Sequence, residues 1–363
     1  MKYKLRPSIA LVELENGIEF FKSNIRKIVA LEGLISIKEF LLKLDGKKDI
    51  EKIMDEMEIK GEDREDALNL VNFLNEESIL LKIDEDYVED QKKYPRVFNL
   101  LEDYSRSKRE VNERFKKLKE SKVMIIGLGA VGTWVAHNLT MMGVKNFILV
   151  DGDRVELSNL HRQIGYFPKD RGRYKTVTLK ERLLKIDNSL SIETLEENLD
   201  EDFFKRNSFS KVDMIINCGD YPSVDVTSNI IGKYGMENKI PHLIGGGYNL
   251  HMTLVGQVVI PGKTSCVKCF QKHLEGLNEI DTENIKKLQI GERKIGSFPP
   301  LSTLSASITS NEAFKVLCGL ESILVMDENR CEFLLRNMNF KNIKFHRRKD
   351  CEWCGEKGKY YKI

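Results

Sequence analysis

The segment KVMIIGLGAVGTWVAHNLTMMGVKNFILVD, residues 122–151, predicts a strand, a glycine turn, a helix and a second strand in immediate succession. Its apolar, β-branched start favours a buried parallel strand. Gly127 then permits a tight turn, Gly129 lets the backbone approach a phosphate, and Gly132 allows the helix to pack closely on the strand. Asp151 ends the second strand, where a carboxylate accepts hydrogen bonds from ribose hydroxyls. The segment therefore predicts a nucleotide site, equally for NAD or ATP.

Length and composition indicate an ordinary globular protein with a large core and two domains. The chain has 363 residues, of which 41% are hydrophobic and 31% charged, and its formal net charge is +2. That near balance gives no global field for nucleic acid, and a solvated strand explains the basic run at 341–349 at least as well as a phosphate-binding patch. Without a membrane-length apolar run or a signal peptide, we expect a cytoplasmic protein with no membrane partner.

The first 85 residues predict a small winged-helix domain with α+β structure. An Asn16-Gly17 dipeptide, which can supply the positive φ of a tight hairpin, divides a β-meander, and helical periodicity follows. The strands are expected within 5–15, 17–31 and 78–83, and the helices at 35–44, 50–57 and 64–74.

Such a module binds DNA or peptide. Its third helix is acidic rather than rich in Arg and Lys, which favours an extended peptide added to a strand edge. A dimerisation or packing domain is the alternative. We expect a linker and a surface helix at 86–121, and the nucleotide-binding domain at 122–363.

Several polar residues follow Asp151 in the run DGDRVELSNLHRQ, which contains Asp153, Asn159, Arg162 and Gln163, with Lys175 further on. Each has a plain explanation by itself, as a turn residue or a surface charge. Together they resemble the D-x-D-x-V-x-x-x-N-L-x-R-Q…K signature of the ThiF, MoeB and ubiquitin-activating superfamily of adenylating enzymes. The resemblance runs from about Tyr104 to the C-terminus.

This resemblance implies a Rossmann-like, doubly wound α/β sheet that binds ATP. Asp151 is then expected to hold the ribose, with Asp153 and Gln163 in the same nucleotide site, while Asn159, Arg162 and Lys175 surround the phosphates. Fixed cations suit that position because they neutralise the charge that develops when a carboxylate attacks the α-phosphate and pyrophosphate departs. An NAD-dependent oxidoreductase becomes the weaker interpretation.

Two further positions follow from the same resemblance. Asp220 comes after the predicted strand 212–217, at the sheet edge where ligands of doubly wound folds bind. The family has a Mg²⁺-binding aspartate there, and we assign that role to Asp220. Asp103-Tyr-Ser-Arg106 resembles the family segment R-Y-x-R, whose second arginine reaches the ATP site of the other subunit. Arg106 matches that arginine, which implies a homodimer, although Asp103 replaces the first one.

Two CxxC pairs, Cys266/Cys269 and Cys351/Cys354, predict a closed tetrahedral Cys₄ zinc site. A closed site has no open coordination position, so its role is structural and it holds the C-terminal tail on the sheet domain. We expect the other three cysteines, Cys218, Cys318 and Cys331, to be buried residues.

The segment 270–300 contains no cysteine. Superfamily branches that pass the activated group to a thiol carry a catalytic cysteine there, so we expect the adenylate to be used directly. With the winged-helix module, this pattern resembles the peptide-modifying branch, in which an N-terminal recognition element binds the leader of a ribosomal precursor peptide. ATP then activates a peptide carboxylate or amide, either to nucleotidylate the peptide or to cyclise it through glutamate.

Two alternatives remain: activation of the C-terminal Gly-Gly of a ubiquitin-like sulfur carrier, and a non-catalytic peptide-binding scaffold. The missing relay cysteine and the additional N-terminal module disfavour the first. The complete set of polar residues in the nucleotide site disfavours the second.

Overall fold

The structure of the chain is a computed structural model that describes residues 1–32, 35–244, 252–278, 296 and 298–361. It divides into two compact units, Met1–Lys117 and Leu118–Ile363. None of the described helices combines the length and the apolarity needed to cross a bilayer.

The first unit has two antiparallel sheets and six helices among its described residues. Strands β1 and β5 form one sheet, and β2, β3 and β4 form a meander. The elements are β1 Lys2–Leu5, β2 Ile9–Leu14, β3 Gly17–Lys22, β4 Lys27–Glu32, α1 Ile35–Lys43, α2 Ile50–Glu56, α3 Glu62–Glu76, β5 Leu80–Ile83, α4 Asp90–Lys93, α5 Pro95–Asp103 and α6 Lys108–Glu120, which ends in the second unit.

The hairpin between β2 and β3 forms where the sequence predicts it, but Gly17 has a different role there. Leu14 pairs with Gly17 across the hairpin, so Glu15 and Asn16 are the turn residues. Gly17 does not adopt a positive φ. A Cβ on Gly17 would instead lie 2.1 Å from the carbonyl oxygen of Leu31, so the close approach of β4 requires the glycine.

The segment predicted as a linker and a surface helix, 86–121, is mostly helical, and its aromatic residues are packed. Phe98 on α5 lies 4.5 Å from Phe115 on α6 between ring centroids, and Tyr94 contacts the same ring at 5.2 Å. A separate core beneath the meander is built around Phe20, Leu41 and Leu74, all buried.

The second unit is organised around a six-stranded sheet with strand order β12-β10-β9-β6-β7-β8. Its elements are β6 Lys122–Ile126, α7 Ala130–Met142, β7 Asn146–Val150, α8 Lys175–Ile186, β8 Ser191–Leu195, α9 Phe203–Arg206, β9 Met214–Asn217, α10 Val224–Glu237, β10 His242–Ile244, β11 Met252–Val255, β12 Val258–Val259, α11 Val267–Asn278, α12 Pro299–Leu317, β13 Asn329–Leu334 and β14 Asn339–Lys344. Strands β11, β13 and β14 form a separate antiparallel sheet.

All strands of the larger sheet run parallel except β12, which pairs with β10 in the antiparallel direction. The order corresponds to the doubly wound pattern 3-2-1-4-5-6 with β6 as strand 1 and β9 as strand 4. The predicted doubly wound α/β fold is confirmed. Strand β8 was not predicted, because an edge strand with exposed alternating positions has no continuous apolar run.

The ends of β6 and β9 meet at this topological switch point. Gly127 has a φ of +88°, and a Cβ there would lie 2.5 Å from the backbone nitrogen of Gly219. A Cβ on Gly132 would lie 1.9 Å from the carbonyl oxygen of Gly127. A side chain at either position is therefore incompatible with the observed backbone.

We expect Gly132→Ala to lower the free energy of unfolding of the second unit by about 1–3 kcal/mol, because its methyl group overlaps a backbone oxygen. Gly276→Ala is the matched control: nothing lies within 4 Å of a Cβ there, and the residue is on α11. That substitution should be neutral or stabilising. Urea unfolding followed by circular dichroism measures both, and equal effects of the two substitutions would contradict the assigned packing.

Candidate active site and zinc centre

The glycine turn is tied to Asp151 by backbone hydrogen bonds. The amide of Leu128 donates to Oδ2 of Asp151 at 2.6 Å, and the amide of Asp153 donates to Oδ1 at 2.8 Å. Burial raises the pKa of Asp151, while nearby Lys175 and these amides act in the opposite direction. The carboxylate is thus fixed beside the N-terminal end of α7.

Tyr166 is a part of the site that the sequence reasoning did not find. The side chain is buried, and its hydroxyl donates to the carbonyl oxygen of Leu128 at 2.8 Å. Burial raises the pKa of this hydroxyl well above its usual value, so it remains a donor. The only sequence signal for this role was that Tyr166 lies three residues after Gln163. A single tyrosine forms no motif, so the signal was too weak to predict the role.

Lys175 is the first residue of α8, and its side chain is buried although charged. Its Nζ atom donates to Oδ2 of Asp153 at 2.6 Å and lies 3.9 Å from Oδ1 of Asp151. A buried cation requires such partners because transfer out of water is costly. The structure therefore brings Asp151, Asp153 and Lys175 together next to the glycine turn.

Gln163 lies on the open side of the same turn. The nearest atom to a Cβ built on Gly129 is its Nε2, at 3.9 Å, so the space over Gly129 is otherwise free. The Gln163 side chain is buried, and its Oε1 atom has no hydrogen-bond partner within the part of the chain that is described. An open approach to a backbone and an unsatisfied carboxamide are compatible with a bound polar ligand.

Asn159 and Arg162 lie on the loop between β7 and α8, and their side chains have local partners. Oδ1 of Asn159 accepts from the amide of Glu156 at 3.0 Å, which caps a 3₁₀ turn. Nη1 of Arg162 donates to the carbonyl oxygen of Ser158 at 2.8 Å. Among the described residues, no hydrogen bond joins these two side chains to the glycine turn.

Asp220 follows β9 and is exposed. The turn that carries it is rigidly held, because Oδ1 of Asn217 accepts from the amide of Gly219 at 3.1 Å, and the Asn217 amide group donates to Thr227 Oγ1 at 2.9 Å. Helix α10 is capped by Ser223, whose hydroxyl accepts from Val226. Asp220 therefore does not cap the helix, and its carboxylate is available to solvent.

Arg106 and Asp103 belong to the first unit. The Arg106 side chain is exposed, and its backbone amide donates to Oε2 of Glu110 at 2.6 Å. Asp103 accepts a hydrogen bond from the Ser8 hydroxyl at 2.5 Å, and burial raises the pKa of its carboxyl group.

The four cysteines of the CxxC pairs form one buried cluster whose Sγ atoms all lie within 4.8 Å of one another. Cys266 and Cys351 are separated by 3.5 Å, and Cys269 and Cys354 by 3.4 Å. Tetrahedral zinc with Zn–S bonds of about 2.3 Å requires sulfur atoms about 3.8 Å apart, so the cluster fits Zn²⁺.

The four-cysteine cluster lies where the C-terminal tail packs on α10 and α11. A Cβ on Gly232 of α10 would lie 2.7 Å from Val267 and 3.1 Å from Trp353, so helix and tail are in close contact. The Tyr360 hydroxyl donates to Oε1 of Glu237 at 3.0 Å. The expected structural role of the site agrees with this packing.

The remaining cysteines differ in exposure. Cys318 and Cys331 are buried, as expected. The prediction was wrong for Cys218, which is only partly buried, because it lies in the turn after β9 where the sheet edge opens. Desolvation nevertheless raises the pKa of its thiol to about 12, so it is a poor nucleophile at neutral pH.

We expect one zinc ion per chain in the purified protein, and we expect Cys354→Ser to reduce the zinc content to less than half and lower the melting temperature, because the tail loses its attachment. Cys331→Ala, a buried cysteine outside the cluster, should keep the full zinc content. Elemental analysis and thermal unfolding measure both effects. Zinc content unchanged in Cys354→Ser would contradict the assignment.

Solved structures with a similar fold include those of MccB and PaaA. The Escherichia coli MccB structure with ATP aligns with a TM-score of 0.76 at 21% identity, covering 98% of this chain and 100% of that chain. The PaaA structure aligns with a TM-score of 0.70 at 20% identity, covering 94% and 100%. At this identity the likeness shows the fold alone.

Relatives by sequence are adenylyltransferases. The molybdopterin-synthase adenylyltransferase of Escherichia coli is 26% identical over 247 residues, covering 66% of this chain and 89% of that protein. The ThiS adenylyltransferase of the same organism is 26% identical over 243 residues, covering 66% and 88%. Residues 104–354 match the model of the ThiF family. The chain is thus a member of the ThiF family and an ATP-dependent adenylyltransferase.

Proposed function

We propose that this enzyme activates a carboxylate or an amide of a ribosomally made precursor peptide during the biosynthesis of a peptide natural product. The observation that carries the proposal is the extent of the structural likeness. The MccB alignment includes the N-terminal unit and reaches 98% of the chain, whereas the sulfur-carrier adenylyltransferases match only 66% of it. MccB has been solved with ATP and with the MccA precursor peptide.

The proposed reaction starts when an oxygen of the peptide carboxylate attacks the α-phosphorus of ATP. A bond forms between that oxygen and phosphorus, the bond to the bridging oxygen breaks, and pyrophosphate leaves with the electron pair. Negative charge builds up on the phosphates, and Lys175 and Arg162 are the proposed stabilising cations. Asp151 holds the ribose, and Gln163 and the backbone over Gly129 contact the phosphates.

Lys175 has to exchange partners during this reaction. Its charge is neutralised by Asp153 at 2.6 Å. Triphosphate carries more charge than one carboxylate, so we propose that the Lys175 amine moves toward the nucleotide. Asp153 keeps that amine close to the nucleotide site. Asn159 is proposed to support this rearrangement from its loop, where its side chain fixes the 3₁₀ turn.

Asp220 is the proposed ligand for the Mg²⁺ of MgATP. Its turn packs on Gly127, its carboxylate is exposed, and it does not cap α10. Oxygen ligands of this kind suit Mg²⁺. The exposed Arg106 is proposed to reach the ATP site of a second subunit, which requires a homodimer.

The adenylate is proposed to be used without a thiol relay. Four of the seven cysteines form the zinc cluster, and the partly buried Cys218 has a pKa raised to about 12 by desolvation. Cys318 and Cys331 are buried. Nucleotidylation of the peptide and dehydrative cyclisation both satisfy this condition, and the peptide sequence decides between them.

Residues 1–85 of the first unit are proposed to be a winged-helix domain that recognises the leader of the precursor. Its three-stranded meander has two edge strands, β2 and β4, that could accept an extended segment. Val12 and Ile28 on these strands expose 43% and 58% of their surface, so apolar leader residues would find partners there.

Activation of a sulfur carrier is the second candidate, because both Escherichia coli relatives by sequence are enzymes of that class. The two candidates predict different substrates. A peptide enzyme uses ATP to adenylate a short peptide encoded beside its gene, whereas a carrier enzyme uses ATP to adenylate a ubiquitin-like protein ending in Gly-Gly.

We expect pyrophosphate release when the protein is incubated with MgATP and the neighbouring gene's peptide, together with either loss of water from the peptide and free AMP, or addition of AMP to the peptide. Chromatography measures pyrophosphate and AMP, and mass spectrometry measures the peptide. A ThiS-type carrier serves as the competing substrate. Pyrophosphate released with the carrier but not with the peptide would reject the proposed substrate class.

Lys175→Met and Asp220→Asn should each lower AMP formation by roughly 10²–10³-fold, since each removes a group that stabilises charge on the phosphates. The matched controls are Lys169→Met and Asp225→Asn, both exposed residues outside the site, which should keep near wild-type rates. Steady-state kinetics at saturating ATP provides the measurement. Activity within threefold of wild type in either site variant would exclude its proposed role.

A further inference from the structure

The first unit contains a pocket of about 530 Å³ in which two buried residues, Arg6 and Ser105, have no role in the proposed reaction. Three segments form it: the residue after β1, the C-terminal end of α3 with the turn that follows, and the turn between α5 and α6. The lining residues are Arg6, Asn75, Glu76, Ser78, Asp103, Tyr104, Ser105 and Arg106. Its volume lies within the range of about 300–1,000 Å³ that is typical of ligand sites.

Arg6 in this pocket is buried without a full set of acceptors. The residue is 4% exposed, and its Nε atom donates to the carbonyl oxygen of Leu80 at 3.1 Å. Its Nη1 atom has no hydrogen-bond partner among the described residues. Burial lowers the pKa of Arg6, while Asp103 and Glu102 act in the opposite direction without forming an ion pair with it.

Ser105 provides a second unsatisfied group in the same pocket. The residue is 4% exposed, and its hydroxyl has no hydrogen-bond partner in the described structure. Buried polar groups are almost always hydrogen-bonded, because an unmade hydrogen bond costs about 1–3 kcal/mol. Two such donors in one pocket indicate that an acceptor from outside completes the site.

The carboxylates nearest to Arg6 are already used. Asp103 accepts the hydrogen bond of Ser8, and Glu102 is paired with Lys4 at 2.9 Å and with Lys108 at 3.7 Å. Arg106 also lines the pocket, but its side chain is assigned to the ATP site of a second subunit and is not counted as a binding group of this pocket. The pocket thus offers the Arg6 guanidinium group and the Ser105 hydroxyl to a ligand.

We infer that this pocket binds a carboxylate of the peptide substrate, an Asp or Glu side chain of the leader rather than the group that is adenylated. A carboxylate presents two coplanar oxygens that match the fork of a guanidinium group, and the Ser105 hydroxyl can donate a third hydrogen bond. The inference rests on the proposed peptide substrate, and it adds an acidic anchor to the leader.

The test measures binding without ATP, so it is independent of adenylation. Saturation-transfer NMR on the full chain compares the tripeptide acetyl-Gly-Glu-Gly-amide with its Gln counterpart. We expect the Glu peptide to give a saturation-transfer signal whose concentration dependence yields a Kd on the order of 1 mM, as for a few polar contacts. The Gln peptide should bind at least tenfold more weakly.

Arg6→Met should weaken binding of the Glu peptide by about tenfold or more, and Ser105→Ala by about threefold to tenfold, as expected for hydrogen bonds to a charged group. Arg109→Met is the control, because Arg109 is an exposed arginine of the same unit that pairs with Glu85 at 3.2 Å. It should bind as wild type does. Ser105→Ala introduces no bulk and decides the matter if Arg6→Met unfolds.

Equal binding of the Glu and Gln peptides, or unchanged Glu binding in a folded Arg6→Met or Ser105→Ala variant, would overturn the inference. Failure of adenylation with normal, Arg6-dependent binding would reject the proposed reaction and keep the carboxylate site. Normal adenylation with no binding of the Glu peptide would reject the site alone.

Discussion

The contact between the backbones of Gly127 and Gly219 is the constraint on which the catalytic unit depends. It joins the ends of β6 and β9 at the point where the strand order reverses, and a Cβ on Gly127 would lie 2.5 Å from the amide of Gly219. Because the two turns touch, the start of α7 and the segment that carries Asp220 lie next to each other at the carboxyl ends of the strands, where doubly wound folds bind ligands. Leu128, in the first of these turns, is hydrogen-bonded to Asp151 through its amide and to Tyr166 through its carbonyl oxygen.

The sequence predicted those parts of the site in which one residue type has one strong physical reason. A Cβ on Gly127 or Gly132 would lie 2.5 or 1.9 Å from a backbone atom, so both positions require glycine. Such a requirement appears in the sequence as a recognisable motif. The four cysteines similarly follow from metal geometry, which only thiolate pairs at short spacing satisfy. The doubly wound sheet follows because its buried strands are continuous apolar runs.

Other features could not be predicted, because tertiary contacts determine them. Tyr166 contributes through one hydrogen bond to a distant backbone oxygen, which no local pattern records. Gly17 looked like a turn residue, yet it is needed where Leu31 of the next strand approaches. Strand β8 is an exposed edge whose stability comes from its pairing with β7.

The most direct measurement of peptide activation follows an oxygen atom from the peptide to AMP. The precursor peptide is labelled with ¹⁸O in its carboxyl and amide oxygens and incubated with the enzyme and unlabelled MgATP. If one of these oxygens attacks the α-phosphorus and the adenylate then reacts further at carbon, AMP should contain one ¹⁸O atom, detected as a mass increase of about 2 Da. AMP without the label in unlabelled water would show that ATP is hydrolysed without peptide activation and would contradict the account.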